Sequence, residues 1–306
     1  MRTFVPHRPG DRVPADWGVR RAVRLAFPDS AALAGDPQHT ERLRVYLADL
    51  LRPYGLGLEA GALERGGQSY GEMAEALIRL AVPEGESVDL LVLAYCVPDI
   101  TPGRATTTML SHVCPGGPMA FAVSDQGGAG AFTALRLIRA YAGSAGLPRA
   151  LLLVVEQPAL PYDPRVPVAL PAAASGVALL FGEQRPGERP VRLGPVVTRA
   201  RSSAASLAAE CAALGGGPGP VTAVLGAALA AGTPAPAGVR HVRAADPGRP
   251  GTGVWWELAG ELAEPPAEPC RLVLADHDTG ALSLAVFDVG AEVRPDALAA
   301  ARGRLR

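Results

Sequence analysis

A chain of 306 residues, 48% hydrophobic and 19% charged, holds enough apolar material for a large core in one or two domains and is not a disordered chain. Its formal charge of -1 gives no electrostatic reason for a nucleic-acid or anionic-membrane partner. Lysine and asparagine are missing altogether, so any mechanism that needs an Asn side chain is excluded.

Residues 19–27, VRRAVRLAF, alternate in a strand-like pattern and end at the turn signal Pro28-Asp29. Residues 40–55 place Leu43, Leu47, Leu50 and Leu51 on one helical face and stop at Pro53 and Gly55. A second helix, 69–82, opens with Ser69 as N-cap and Glu72 at capping-box spacing. VDLLVLAYCV (88–97) reads as a buried strand ended by Pro98-Asp99, and TTTMLSHV (106–113) as a polar helix. The stretch AFAVSDQGGAGAFTALRL (120–137) takes an apolar strand, 120–123, through a small-residue turn into a helix, 132–140. Strand, tight turn and helix are an arrangement that presents a nucleophile at a helix N-terminus, yet this turn holds neither cysteine nor histidine. Strands over 149–156 and 175–183 complete this half, on either side of a proline-rich connection.

The second half begins with a strand at 189–197 and a helix at 202–216, then a strand and helical turn over 221–232. A helix at 251–262 and a closing strand pair, 270–277 and 281–289, follow. Gly130 near a helix start and Leu151 in the next strand are matched by Gly253 and Leu272, each with a second apolar strand behind it. Two α/β units that finish helix–strand–strand predict a duplicated layered fold. The halves are 1–186 and 187–306, joined through the Pro/Gly-rich 183–190.

Cys96, Cys114, Cys211 and Cys270 lie far apart without CxxC spacing, which argues against a zinc site or a disulfide framework. The N-terminus lacks an apolar signal region, and no apolar run reaches the ~18 residues of a membrane span. A soluble cytoplasmic protein without metal or cofactor is the expectation.

The duplicated unit with these segments resembles the thiolase fold and, more narrowly, the β-ketoacyl-acyl-carrier-protein synthase III family. DLLVLAYCVPD is similar to that family's strand before the acyl-site helices, and AFAVSDQGGAGAFTAL to its nucleophile segment. RALLLVVE with ASGVALLFGE, GTGVWWELAGEL and CRLVLADHDTGALSLAVF match later segments, so the likeness spans about residues 19–289. It implies an α/β/α/β/α sandwich of two pseudo-repeats paired as a dimer. In the family a Cys–His–Asn triad acts. The Cys position falls on Gly127 (on Gln126 with a one-residue shift), the His position on Gly226, and the Asn position on Arg249 or Thr252. Without a thiolate to accept an acyl group, ping-pong acylation at the usual position does not occur, and ordinary decarboxylative condensation is not expected of this chain alone.

Other groups are candidates beside the empty triad. Gln126 either holds a thioester carbonyl by hydrogen bonds or closes the turn with Asp125, with Gly128 next to it. Ser124 is either a substituted nucleophile or a turn cap. His277 with Asp276 or Asp278 is either a relocated acid–base pair or part of an ordinary hairpin turn. The resemblance puts His112 and Cys114 near the dimer interface beside the pocket. Trp255 and Trp256 cannot share one helix face, so one belongs in the core. Arg302, Arg304 and Arg306 either meet an acidic carrier protein or form a solvated tail.

The leading expectation is a non-condensing synthase III-like protein of bacterial polyketide or fatty-acyl secondary metabolism. Its partners would be an acyl-carrier-protein or acyl-CoA thioester and either a second copy or an intact ketosynthase. The alternatives are an acyltransferase or decarboxylase using Gln126, His277 or Ser124, and a small-molecule binding module. Glycine at 127 and 226 is compatible with an enlarged cavity or a collapsed one.

Overall fold

Ten strands of the computed structural model pair into two five-stranded sheets with the same order and the same directions. Residues 16–28, 36–63, 68–101, 105–144, 146–214, 217, 219–278 and 280–291 are described; Arg302, Arg304 and Arg306 lie outside them. The first sheet contains β1 (Trp17–Phe27), β2 (Leu90–Ala94), β3 (Met119–Val123), β4 (Ala150–Glu156) and β5 (Ala174–Glu183) in the order β1-β5-β4-β2-β3. The second contains β6 (Val191–Ala200), β7 (Val221–Leu225), β8 (Val239–Ala244), β9 (Cys270–Asp278) and β10 (Ala281–Val289) in the order β6-β10-β9-β7-β8. In the first sheet β2 runs parallel to β3 and β4, and β5 runs antiparallel to β4 and β1. The second repeats this with β7 parallel to β8 and β9, and β10 antiparallel to β9 and β6.

The helices are α1 (Pro37–Leu51), α2 (Tyr70–Ala81), α3 (Thr106–Val113), α4 (Ala129–Ser144), α5 (Leu207–Ala213), α6 (Ala227–Gly232) and α7 (Gly253–Ala263). Successive side chains of a strand point to opposite faces, and here both faces are covered. Leu90, Val92 and Ala94 of β2 join a core with α4, α7 and the inner face of the second sheet, whereas Leu91 and Leu93 join α2 and α3 outside. That double cover is why 88–97 reads as an unbroken apolar run. Outside the second sheet, Leu207 of α5 and Leu229 of α6 pack on Val273, Leu282 and Leu284. The layers are therefore α/β/α/β/α, with α4 and α7 shared between the sheets.

Phe132 of α4 and Trp255 of α7 meet in this middle layer, ring centroids 4.9 Å apart, both fully buried. Trp256, one residue on, faces outward between the guanidinium groups of Arg24 and Arg249, 5.1 and 4.2 Å from its ring. The two tryptophans thus divide as the helical spacing requires. The predicted capping box forms: Ser69 Oγ accepts from Glu72 N at 3.2 Å and donates to the Glu72 carboxylate at 3.0 Å.

Four elements differ from expectation, the first being α4, which spans Ala129–Ser144 where 132–140 was expected. The first helix stops at Leu51, a single 3₁₀ turn, Arg52–Tyr54, replaces its end, and Leu50 stays exposed while Leu43, Leu47 and Leu51 are buried. Helix α5 covers only the middle of 202–216, following a 3₁₀ turn at Ala204–Ser206. Strand β8 was not anticipated. It is an edge strand with mostly exposed side chains, so no apolar run marks it. Among the described residues no helix is long and apolar enough to cross a membrane.

Candidate functional site

Parallel strands send the loops at their carboxyl ends to one edge of a sheet, where crevices form. In this chain those ends deliver Cys96 after β2, Gly127 and Gly128 after β3, Gly226 after β7, and Asp246 and Arg249 after β8. The end of β9 adds Asp276, His277 and Asp278. All of these line one cavity of ≈ 650 Å³ between the halves, whose remaining wall includes Val97, Pro167, Val168, Ala228, Pro250 and Val254. The positions to which the resemblance assigns the Cys and His, Gly127 and Gly226, are thus brought to a common, open cavity, along with Arg249.

Two carboxylates fill the space where side chains at those glycines would begin. A Cβ on Gly127 would lie 2.1 Å from Asp278 Oδ2, and one on Gly226 would lie 2.0 Å from Asp276 Oδ1. A Cβ on Gly128 would be 2.9 Å from Asp276 Oδ2. Gly127 also has a left-handed backbone, φ 50°, which disfavours any residue with a Cβ. Gly128 N donates to Asp278 Oδ2 at 2.8 Å, so this carboxylate sits at the N-terminus of α4, where a backbone donor and the helix dipole favour negative charge. Asp276 has less help: its Oδ1 accepts the adjacent His277 N–H at 2.9 Å. Burial, with Asp278 adding repulsion, pushes its carboxyl up to about 6.

Spacing explains why these two act together. Positions 276 and 278 share one face of β9, and His277 lies on the other. The His277 ring turns away, its Nε2 2.9 Å from the carbonyl oxygen of Ser202. The two aspartates therefore face the cavity as a pair, while His277, also in its lining, has its Nε2 engaged by Ser202 O.

Behind the cavity, Glu156 at the end of β4 is buried and fully engaged. Its carboxylate accepts from Gly251 N at 2.7 Å, from Ser175 Oγ at 3.1 Å and from Thr252 Oγ1. Burial raises its pKa despite these donors. Thr252 is thus a buried link between the halves and not a cavity wall. Cys96 donates its thiol to Gly127 O at 3.0 Å, and burial pushes it up to about 12, which keeps it protonated and poorly nucleophilic.

The remaining candidates, Arg249 apart, lie elsewhere. Gln126 is exposed and outside the cavity lining. Its Oε1 accepts from Thr133 Oγ1 at 2.6 Å, and Thr133 in turn accepts from Arg136, which donates to Thr198 of β6. Ser124 donates to Asp125 Oδ2 at 2.9 Å; Asp125 has φ 60°. Both line a separate cavity of ≈ 420 Å³ with Tyr70, Asp99 and Thr106. His112 is exposed on α3 and Cys114 is buried behind it, its thiol pushed up to about 12 by burial. Arg249 donates to Asp246 Oδ2 at 2.9 Å while stacked on Trp256. Among the described residues no group of three or more His, Cys, Asp or Glu side chains converges as metal ligands would.

From sequence Asp276 and Asp278 were candidates only as partners of His277, not as a carboxylate pair, and Cys96 and Glu156 were not singled out as site residues. The available signal was Asp-His-Asp at the end of a strand, which puts both carboxylates on one face and the histidine on the other.

Solved structures share this fold at low identity. ChlB3, described as an acyltransferase, is 17% identical and superposes with a TM-score of 0.56, covering 90% of this chain and 98% of that one. AbyA1, described as a tetronic acid condensing enzyme, is 18% identical at a TM-score of 0.57, covering 90% and 100%. A variant of OleA from Xanthomonas campestris is 14% identical at 0.54, covering 89% and 98%. No family model matches the sequence, and no curated protein matches it either. The architecture is thus thiolase-like, and the chemistry rests on this chain's own residues.

Proposed function

We propose that this chain is a synthase III-like protein of polyketide or fatty-acyl secondary metabolism that holds an acyl-carrier-protein or coenzyme A thioester without covalent capture. In this reading it serves as the non-condensing partner of an intact ketosynthase. The observation behind it is the occupation of both glycine positions by carboxylates. Asp278 fills the space of a nucleophile on Gly127, and Asp276 the space of a side chain on Gly226. Condensation builds negative charge on an oxyanion or enolate, which needs hydrogen-bond donors or cations. Two carboxylates at that point oppose it. The open cavity supports retained binding, and the shared fold of ChlB3, AbyA1 and OleA supports the acyl-handling context.

The test is intact-mass spectrometry after incubation with acyl-CoA and acyl-carrier protein, alongside co-purification with a Cys-His-Asn ketosynthase. The expected result is an unmodified chain that co-purifies. A covalent acyl adduct sinks the non-covalent reading, and a homodimer indifferent to such a ketosynthase sinks the partner role.

A second reading, thioester turnover as an acyltransferase or decarboxylase, is favoured by one observation: Asp276, titrating near 6 beside Asp278, suits proton transfer close to neutral pH. It predicts turnover that falls at least ~10-fold in Asp276→Asn, the lower end of what a positioned acid or base contributes being greater than that.

A further inference from the structure

Whatever occupies the ≈ 650 Å³ cavity meets walls that are largely apolar, including Val97, Pro167, Ala228 and Val254, and a polar end formed by two aspartates. The charges around that end do not cancel. Among the described residues Arg249 is the one guanidinium in the lining, and it is already bonded to Asp246 and stacked on Trp256. The histidine in the lining spends its Nε2 on Ser202 O. Asp278 is matched in part by the N-terminus of α4 through Gly128 N. Among the described residues Asp276 is matched by its neighbour His277, through the backbone N–H and a weaker charge interaction, and no described group donates to its Oδ2, which lies on the Gly128 side of the cavity. Half-buried negative charge at the polar end of a largely apolar cavity favours a cation or strong donor.

We propose that the cavity takes a ligand whose buried end is a primary amine or similar cation, held by Asp276 and Asp278, with an apolar chain along the walls. This goes beyond the thioester reading above, rests with it on the same open cavity, and names a second chemistry of ligand. An ammonium group offers three donors and a full charge to acceptors that lack both. A carboxylate-ended ligand would place like charges together, and an alcohol would supply one donor without charge.

Hexylamine, hexanol and hexanoate, equal in length and different at one end, are the probes for isothermal titration calorimetry on the full chain with EDTA present throughout. Hexylamine is expected to bind at least ~10-fold more tightly than hexanol, with hexanoate weakest, since charge-assisted bonds are about twice as strong as neutral ones. In the isosteric Asp276→Asn/Asp278→Asn variant the amine preference is expected to vanish while hexanol binding persists, which also reports that the cavity is folded. Hexanoate binding as tightly as hexylamine to the unaltered chain overturns the proposal, as does an amine preference that survives the double substitution. Hexanol binding without amine preference defeats the cargo inference alone. Failure of all three probes defeats it together with the open-cavity reading, and a covalent acyl adduct strikes the non-covalent reading independently.

Discussion

The Asp276 carboxyl is more costly to ionise in the fold than in the unfolded chain, because burial and Asp278 outweigh its one backbone donor. Its folded value, about 6, lies above its ordinary 3.8. The stability it contributes is therefore complete below the unfolded value and is lost as pH rises through about 6. Asp276→Asn keeps the acceptor for His277 N–H and removes the ionisation. At about 1.4 kcal/mol per pKa unit, the variant is expected to be more stable than the parent at pH 7 by about 1–3 kcal/mol, with the gap closing toward pH 4. Urea unfolding at both pH values measures it; equal stability at pH 7 would show that the carboxylate is not strained. Gly127 gives a complementary prediction. A Gly127→Cys variant meets Asp278 and a left-handed φ, so it is expected to resist acylation by acyl-CoA, whereas Gly127→Cys/Asp278→Ala is expected to acylate at least ~10-fold faster, relief from a neighbouring anion being the main effect. Intact mass over time reads both. The sequence marked Gly127 and Gly226 through the resemblance, since they lie in segments of the same strand–turn–helix type. What fills the space left by their missing side chains was not legible there, because Asp278 arrives some 150 residues after Gly127 and Asp276 some 50 after Gly226, and local spacing carries no information on that approach.

Among the elements, α7 has two faces with different energetic roles. Trp255 is fully buried against Phe132, and Trp256 is half-buried between Arg24 and Arg249, with Arg24 also donating to its backbone oxygen at 3.0 Å. Trp255→Ala is expected to cost about 3–5 kcal/mol, the range for emptying a buried aromatic site. Trp256→Ala forfeits partial burial and two stacking contacts of about 0.5–1 kcal/mol each and is expected to cost less than half as much. Chemical denaturation of both variants checks the order, and a larger loss at Trp256 would place the core face wrongly. That the two tryptophans divide was readable from helical spacing, α2 from its capping box, and the doubly covered strands from their unbroken apolar runs. Elements with little burial were less readable. In β8 the pattern Val-Arg-His-Val-Arg-Ala is largely exposed at a sheet edge, so its pairing with β7 is decided by backbone hydrogen bonds and not by a buried stripe. Helix α5 buries only Leu207, and an Ala-rich segment with so small an apolar face does not fix its own ends.

For the molecule as a whole, the repeated sheets are joined by more than the chain connecting them. Helices α4 and α7 lie in one core that contains residues of both sheets, from Val92 and Leu152 to Leu274 and Phe287. Polar links reinforce it: Arg136 to Thr198 at 2.6 Å, Arg139 to Gly194 O at 2.8 Å, Glu156 to Gly251 N at 2.7 Å and Arg20 to Glu188 at 2.7 Å. A half expressed alone would expose the side of its central helix that meets the other sheet, since α4 touches β6, β9 and β10 as well as its own strands, and α7 touches β1 and β5. The repeat is therefore expected to be a symmetry of architecture and not a division into independent folding units. Unfolding is expected to be a single transition, with tryptophan emission and far-UV circular dichroism sharing one urea midpoint. Trp17 reports from the first sheet and Trp255 and Trp256 from the second half, so Trp17→Phe and Trp255→Phe/Trp256→Phe variants separate their signals. Coincident midpoints in both variants would fit one cooperative core, whereas separated midpoints would mean that the halves fold on their own. The cavity lies across the same seam, with Cys96 and Gly127 from one half and Gly226 and Asp276 from the other. If the core is cooperative, a ligand gripped by both halves must raise the midpoint of the whole molecule, by RT ln(1 + [L]/Kd), and not of one half only. A hexylamine titration followed in both variants reads this directly, and a shift confined to one reporter would count against it.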